Sequence, residues 1–384
     1  MNYKVSFIRF SYQRFYLAYR DEVLEAFDRC ARNGDFMLRE ETREFEKKLS
    51  SYIGTKYTVA VNSGTDAMFL SLKALDIGKG DEVITVSHTF IATLQAIVHT
   101  GATPILVDVG EDELMDMDEV EKSITTRTRA ILPVHFHGKV VDLVQWHKLF
   151  VRMVQGFFPP RLPHVVEDAA QSLGAIIPGT NKKAGSYGTT GCFSFNFPKL
   201  LGAYGDAGAV VTNNEETYKK LLLLRSHWNI TQGSVRSEDY PQPEEMGWGW
   251  KSRMDNIQAA ILLVKFKYLP DMLKRRKEIS NRYDEGLKDL PLKLPTHQDG
   301  EVVQEYVIRV QDNKAFKEFM EREGIEVLVR DTVPNHRLKG LGLSHFDLPM
   351  TELLARESVR LPIFPELLDS EVEMVINAVK KYYL

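Results

Sequence analysis

Between residues 20 and 265 the chain alternates two patterns. Short β-branched or apolar runs stand at 57–61, 83–86, 105–107, 130–134, 165–166, 192–195 and 209–212. Most are separated by segments with apolar residues at helical spacing, as at 41–53 and 65–75. Strands alternating with helices predict βαβ units and a mostly parallel sheet. The runs at 130–134 and 209–212 read as buried on both faces, which suits a parallel sheet covered by helices.

From Asp255 the pattern changes. Asp255 with Gln258 three residues on predicts a helix start with a capping box. That helix runs to about Leu269, where Pro270 breaks or kinks it, and a second charged helix follows at 271–287. Pro291 and Pro295 punctuate a loop. A strand at 306–310, a helix at 314–323 and a strand at 327–329 predict a smaller α+β unit, and a helix at 370–382 closes the chain. The expected division is a large α/β domain at 20–265 and a small α+β domain at 266–384, with 1–19 as a candidate addition to the second.

Composition narrows the class. The 384 residues are 43% hydrophobic and 27% charged, a globular balance that excludes disordered and low-complexity proteins. The net charge of −4 lacks the basic domain of a nucleic-acid binder. Cys30 and Cys192 are the only cysteines, so no disulfide framework exists and free thiols are expected. Charges interrupt the apolar runs of the N-terminal segment, unlike a signal peptide. No apolar stretch approaches the roughly 18 residues of a membrane span. A cytoplasmic, soluble protein is expected, in which the sequon Asn229-Ile230-Thr231 reads as coincidence.

Three segments carry chemistry. Asn62-Ser63-Gly64-Thr65-Asp66-Ala67 joins a strand to a helix through a glycine turn, with Ser63 and Asp66 at capping-box spacing. Free N–H groups and the helix dipole make such a start a phosphate site, although an ordinary cap has the same sequence. His164-Val165-Val166-Glu167-Asp168-Ala169-Ala170-Gln171 ends an apolar strand in two acids. Groups at strand C-termini line the ligand crevice of an open α/β sheet, where a carboxylate holds a ring nitrogen, a metal or merely a helix cap. The third segment, 192–208, runs from a strand through Lys199 into a glycine-rich loop. An imine-forming lysine needs a partly desolvated site, and a surface loop lysine is the plain alternative.

Together these are the parts of a pyridoxal phosphate (PLP) site: a phosphate cradle, an acid for the pyridine nitrogen, and a Schiff-base lysine. The chain resembles the DegT/DnrJ/EryC1/StrS family of sugar aminotransferases. The resemblance includes Phe45-Glu46, Ser63 to Ala67, Gly80-Asp81-Glu82-Val83-Ile84, Thr89-Phe90-Ile91-Ala92-Thr93, and Pro133-Val134-His135 with Gly138. It continues through Glu167 to Gln171, Ser194 with Lys199, Gly205 to Thr212, Arg253-Met254-Asp255 with Gln258-Ala259-Ala260, and Leu361-Pro362. It implies the fold-type I architecture: a three-layer α/β/α large domain on a mostly parallel seven-stranded sheet, plus a smaller C-terminal α+β domain.

The resemblance also implies roles. Lys199 would bind the cofactor covalently and carry the proton between substrate carbon and cofactor. Asp168 would keep the pyridine nitrogen protonated, and Gln171 would contact the 3-hydroxyl side of the ring. Gly64, Thr65 and Ser194 would bind the phosphate, and Phe90 would stack on the ring face. PLP, with its aminated form PMP, is the implied cofactor. The implied reaction moves an amino group, most often from L-glutamate, to the C3 or C4 ketone of a nucleotide-linked keto-deoxysugar. A homodimer with shared sites is implied as well. Glutamine-dependent amination of a keto-inositol is the alternative within catalysis, and a non-catalytic regulatory protein the alternative outside it.

Three departures stand out. The family usually has Pro two residues before the lysine, where this chain reads Phe197-Pro198-Lys199. The family's Gly-x-Asn-x-Arg-Met appears as Gly249-Trp250-Lys251-Ser252-Arg253-Met254, which makes Lys251 a candidate for the phosphate. Arg39 and the pair Arg330-Asp331 stand where the family usually has Gly and His-Tyr, in regions that contact substrate in relatives. Arg253 and His336 are candidate substrate contacts. His135 and His137 have metal-like spacing without a supporting cluster, so no metal is expected.

Overall fold

The computed structural model describes residues 3–152, 162–228 and 247–384, so the sequon at Asn229 lies outside the described residues. In chain order the elements begin α1 (Phe7–Asn33), α2 (Glu40–Ile53), β1 (Tyr57–Val61), α3 (Gly64–Ala74), β2 (Glu82–Val86), α4 (Ala92–Thr100) and β3 (Thr103–Val107). They continue α5 (Met117–Ser123), β4 (Thr128–Ile131), α6 (Leu143–Arg152), β5 (His164–Asp168), β6 (Thr190–Ser194), β7 (Gly208–Thr212) and α7 (Glu215–Leu224). The last part holds α8 (Asn256–Leu287), β8 (Tyr306–Arg309), α9 (Asn313–Glu323), α10 (Pro349–Glu357), β9 (Ser358–Leu361) and α11 (Asp369–Tyr382).

The first seven strands form one sheet in the order β1-β7-β6-β5-β4-β2-β3. Only β7 runs against its neighbours, so the sheet is mostly parallel, as expected. Every residue of β2 and β7 is buried, because helices cover both faces. The helix α2 buries one stripe: it turns Phe45, Leu49 and Ile53 inward and ends at Gly54, whose φ of 86° is the left-handed stop glycine tolerates. The strand expected at 130–134 stops at Ile131, since Pro133 has no N–H to continue the ladder, and Val134 makes a lone bridge to Asp168.

A second hydrophobic core gathers Ile279, Tyr283, Tyr306, Ile308, Phe316, Val359, Val375 and Val379, with Val5, Phe7 and Phe10 from the N-terminal segment against it. α1 changes partners at a kink at Tyr19; its later residues Val23, Ala26 and Cys30 pack on Ala260, Ile261 and Val264. No helix among the described residues is long and apolar enough to cross a membrane.

Three local expectations are corrected. Pro270 does not end a helix: α8 is continuous over 32 residues, held on both sides of the proline by buried Leu269, Met272 and Arg276. The Asp255 side chain makes no cap bond, and Gln258 bonds the backbone N and O of Tyr204 at 2.9 and 3.0 Å instead. The strand expected at 327–329 is only a bridge of Leu328 to Arg360; Asp331, at φ 55°, then turns the chain away. The partner of β8 is β9, paired antiparallel from Tyr306–Leu361 to Arg309–Ser358.

Candidate active site

Strand register brings the three chemical segments to one edge of the sheet. Val61, the last residue of β1, pairs with Gly208 at the start of β7, and Gly208 also pairs with Ser194 at the end of β6. Asp168 ends β5 and pairs with Cys192 of β6. The α3 start, Asp168, Ser194 and the Lys199 loop therefore meet where strand C-termini open a crevice.

The α3 start is built for close approach. Ser63 Oγ accepts from Asp66 N at 3.1 Å, which forms half of the expected capping box. The other half is absent, because the Asp66 carboxylate accepts from Ser252 Oγ at 2.6 Å. A Cβ on Gly64 would stand 2.7 Å from Ser194 Cβ, and one on Gly208 would stand 2.3 Å from the Ser63 backbone. Glycine at both positions lets the helix end press against β6 and β7. Ser63 spends its acceptors on Asp66 N and Ala67 N, leaving the first-turn N–H groups of Gly64 and Thr65 for an anion.

Asp168 is buried, and its carboxylate accepts from Thr93 Oγ1 at 2.9 Å and Ala170 N at 3.1 Å. Burial raises its pKa; those two bonds and the charges of Lys199 and His135 oppose the rise. Its neighbour Glu167 is structural. It accepts from the backbone N of Gly185, Tyr187 and Gly188 at 2.8, 2.8 and 2.6 Å and faces His135 Nε2 at 2.9 Å. The strand pattern alone does not separate the two acids; the family resemblance does, by pointing to Asp168.

Lys199 sits in a turn held by Gln304, which accepts from Leu200 N at 2.9 Å and donates to Pro198 O at 3.1 Å. The residue is half-buried, and its amine has no hydrogen-bond partner among the described residues. Desolvation lowers its pKa, although Glu305 and Asp168 pull the other way. Lys199 and Gln171 line a cleft together with Tyr12, Gln304, Glu305 and Arg330. Gln171 Oε1 accepts from His137 N at 2.8 Å, which fixes its amide.

The remaining candidates divide. Phe90 is 66% exposed, a bare aromatic face after β2. Lys251 is exposed and Arg253 half-buried on either side of Ser252, whose hydroxyl meets Asn62 N at 3.3 Å and Asp66. This places both beside the α3 start. His336 is fully buried between Ser87 Oγ at 2.8 Å and Glu352 Oε1 at 3.3 Å. It supports the loop around it and presents no surface to a ligand.

The two histidines with metal-like spacing point apart, since His135 faces Glu167 while His137 lies between Glu113 at 3.2 Å and Glu305 at 2.9 Å. His88, Glu113 and His137 bring ligand-type atoms within 4.8 Å of one another. With a carboxylate oxygen beside each ring nitrogen, His137 is satisfied within a buried polar network. Sequence reasoning missed Glu305, Arg360 and Gln304, and gave Thr93 no role.

The model of the DegT/DnrJ/EryC1/StrS aminotransferase family matches residues 18–380. A dTDP-3-amino-3,6-dideoxy-alpha-D-galactopyranose transaminase from Aneurinibacillus thermoaerophilus is 37% identical, over 95% of this chain and 96% of its own. The crystal structure of DesV from S. venezuelae superposes with a TM-score of 0.87 at 34% identity, covering 97% of this chain and 96% of that one. NtdA from Bacillus subtilis, solved with bound PMP, gives a TM-score of 0.83 at 29% identity over 94% of this chain and 81% of its own.

Proposed function

Because the chain belongs to the DegT/DnrJ/EryC1/StrS aminotransferase family, we propose that it moves an amino group from an amino acid to a nucleotide-linked keto-deoxysugar, with PLP as its cofactor. The observation that carries this reading is an unpartnered, half-buried lysine at the same sheet edge as a buried carboxylate and a glycine cradle. L-glutamate is the donor in this reading, and C3 or C4 the aminated carbon. The 3-amino sugar in the name of the Aneurinibacillus relative favours C3.

The residues fit the cofactor. Asp168 is a buried carboxylate whose pKa burial has raised, so it gains from a protonated ring nitrogen as partner. Gly64, Thr65 and Ser194 surround the helix start that suits a phosphate, with Lys251 as a further positive charge. Phe90 offers a flat apolar face for the ring, and Gln171 a fixed amide for its 3-hydroxyl side. When bound, the cofactor supplies an electron sink for carbanion charge. Asp168 holds the ring nitrogen in its protonated form, and Thr93 with Ala170 N orients Asp168. Lys199 moves a proton at Nζ, a task that the lowering of its pKa by desolvation favours.

A homodimer is part of this reading. Trp248, at 92% exposure, is an apolar face that a second copy would cover. The test is to load the protein with PMP and add a panel of dTDP- and UDP-linked 3- and 4-keto-sugars alongside keto-inositols. Return of PLP absorbance with a keto-sugar supports the reading. Return with keto-inositols alone overturns it, as does silence with every ketone.

A further inference from the structure

Four cations line the cleft beside Lys199: Lys199 itself, Lys265, Arg276 and Arg330. Two are spent within the protein. Lys265 Nζ donates to Gly202 O at 2.7 Å, and Arg276 Nη1 reaches the carbonyls of Val303, Gln304 and Ile363 at 3.3, 3.1 and 3.1 Å. Arg330 differs. Its side chain is 45% exposed, and among the described residues its one ion pair is with Glu305 at 3.5 Å. That distance is long for a charge-assisted hydrogen bond, which runs about 2.7–2.9 Å.

Glu305 is already claimed. Arg360 Nε meets its Oε2 at 2.8 Å, and His137 Nδ1 meets the same oxygen at 2.9 Å. Burial would raise the Glu305 pKa, yet Arg360 and His137, with Arg330 behind them, hold it well below the usual range. Arg360 also reaches Asp331 at 3.4 Å. The left-handed backbone at Asp331, φ 55°, lets neighbouring side chains part: Asp331 turns to Arg360 and Arg330 faces the cleft. Arg330 is thus a guanidinium whose charge the protein compensates only in part, within electrostatic reach of the Lys199 amine.

We infer that Arg330 is a specificity-determining residue: it binds the carboxylate of a substrate whose reacting carbon lies at Lys199. A planar fork of N–H donors matches a carboxylate in a bidentate pair, which a lysine or histidine cannot reproduce. The carboxylate has two sources, the amino-acid donor or a uronate form of the keto-sugar. The inference rests on the aminotransferase reading for what reacts at Lys199, but the binding of a carboxylate is measured without turnover.

The experiment uses PLP-loaded protein and isothermal titration with unreactive probes. Glutarate stands for the donor, and UDP-glucuronate is compared with UDP-glucose for the sugar. Arg330→Met should weaken glutarate, or UDP-glucuronate, about 10- to 100-fold while leaving UDP-glucose unchanged. Arg330→Lys should recover part of the loss. Weakening of glutarate alone assigns the donor, and weakening of UDP-glucuronate alone assigns the sugar. The inference fails if both stay within twofold of the parent, if UDP-glucose weakens equally, or if the parent binds neither carboxylate. Unchanged visible absorbance in Arg330→Met shows that its cofactor site is intact. Failure of the parent to aminate any ketone overturns the aminotransferase reading without touching these binding ratios.

Discussion

Thr93, in the first turn of α4, donates its hydroxyl proton to Oδ2 of Asp168 at the end of β5, across 2.9 Å. The same hydroxyl is 2.7 Å from Thr89 Oγ1, so a short chain of hydroxyls supports the carboxylate. Removing the donor leaves burial less opposed and raises the Asp168 pKa further. Thr93→Val keeps the side-chain shape and should lower transamination about tenfold, the worth of one hydrogen bond to a charged group. PLP should also bind more weakly, read by fluorescence titration. Asp168→Asn should lose far more turnover while remaining folded; near-normal turnover in that variant would remove its role at the ring nitrogen.

Lys199 and Lys251 are both candidates to lie near the cofactor, and borohydride reduction separates them. Reduction of the loaded protein should fix the cofactor on a peptide containing Lys199. Lys199→Ala should abolish trapping, whereas Lys251→Ala should keep it and weaken phosphate-dependent retention of PLP. Trapping that persists in Lys199→Ala and maps to Lys251 would reverse the assignment.

Legibility followed sequence distance. The sheet and its order of chemical segments were readable because each strand and its following turn lie together in the chain, as in Cys192 to Lys199. The supports of the site were not. Gln304 holds the Lys199 turn from more than a hundred residues away, and nothing local distinguishes it from a solvated glutamine. The strand Ser358–Leu361 carries Arg360, whose buried charge is intelligible only beside Glu305 of a distant segment. Gln258 at capping-box spacing misled for the same reason: its amide serves Tyr204 across the fold.

His297 should give the protein a pH-dependent stability unrelated to the site. It lies 2.9 Å from Asp284 and 2.5 Å from Glu301, and these carboxylates raise its pKa to about 9. The stabilisation is complete below the unfolded value near 6.5 and is lost as pH rises through about 9. The side chain is 34% exposed, so screening discounts the gain to about 1 kcal/mol. Urea unfolding at pH 6 and pH 9.5 should show that loss in the parent, and His297→Gln should largely remove it.

Lys265 acts in the opposite sense. Its amine is buried against the rings of Phe15 and Tyr204, and desolvation lowers its pKa to about 8. Below about 8 the folded protein carries the full penalty of a desolvated cation, and the penalty disappears as pH rises towards the unfolded value of 10.5. Lys265→Met should therefore stabilise the protein at pH 7 by about 1–2 kcal/mol, after losing the bond to Gly202 O. The gain should shrink at pH 10, measured by the same urea titrations. Equal gains at both pH values would show that packing, not charge, is responsible.

Gly64 tests the cradle most directly. An added methyl would stand 2.7 Å from Ser194 Cβ and 3.2 Å from Ser194 Cα, and neither belongs to the end of a flexible chain. The helix start must then move off β6, which carries the N–H groups of Gly64 and Thr65 away from Ser194. Overpacking of this kind costs about 1–3 kcal/mol, and Gly64→Ala should lower the melting temperature accordingly. It should also lose PLP on gel filtration that the parent retains, and added inorganic phosphate should protect it less than the parent. Thr65→Ala removes a side chain without moving the helix and should spare stability. If Gly64→Ala kept parent-like cofactor retention, the close approach of α3 to Ser194 would not be what holds the phosphate.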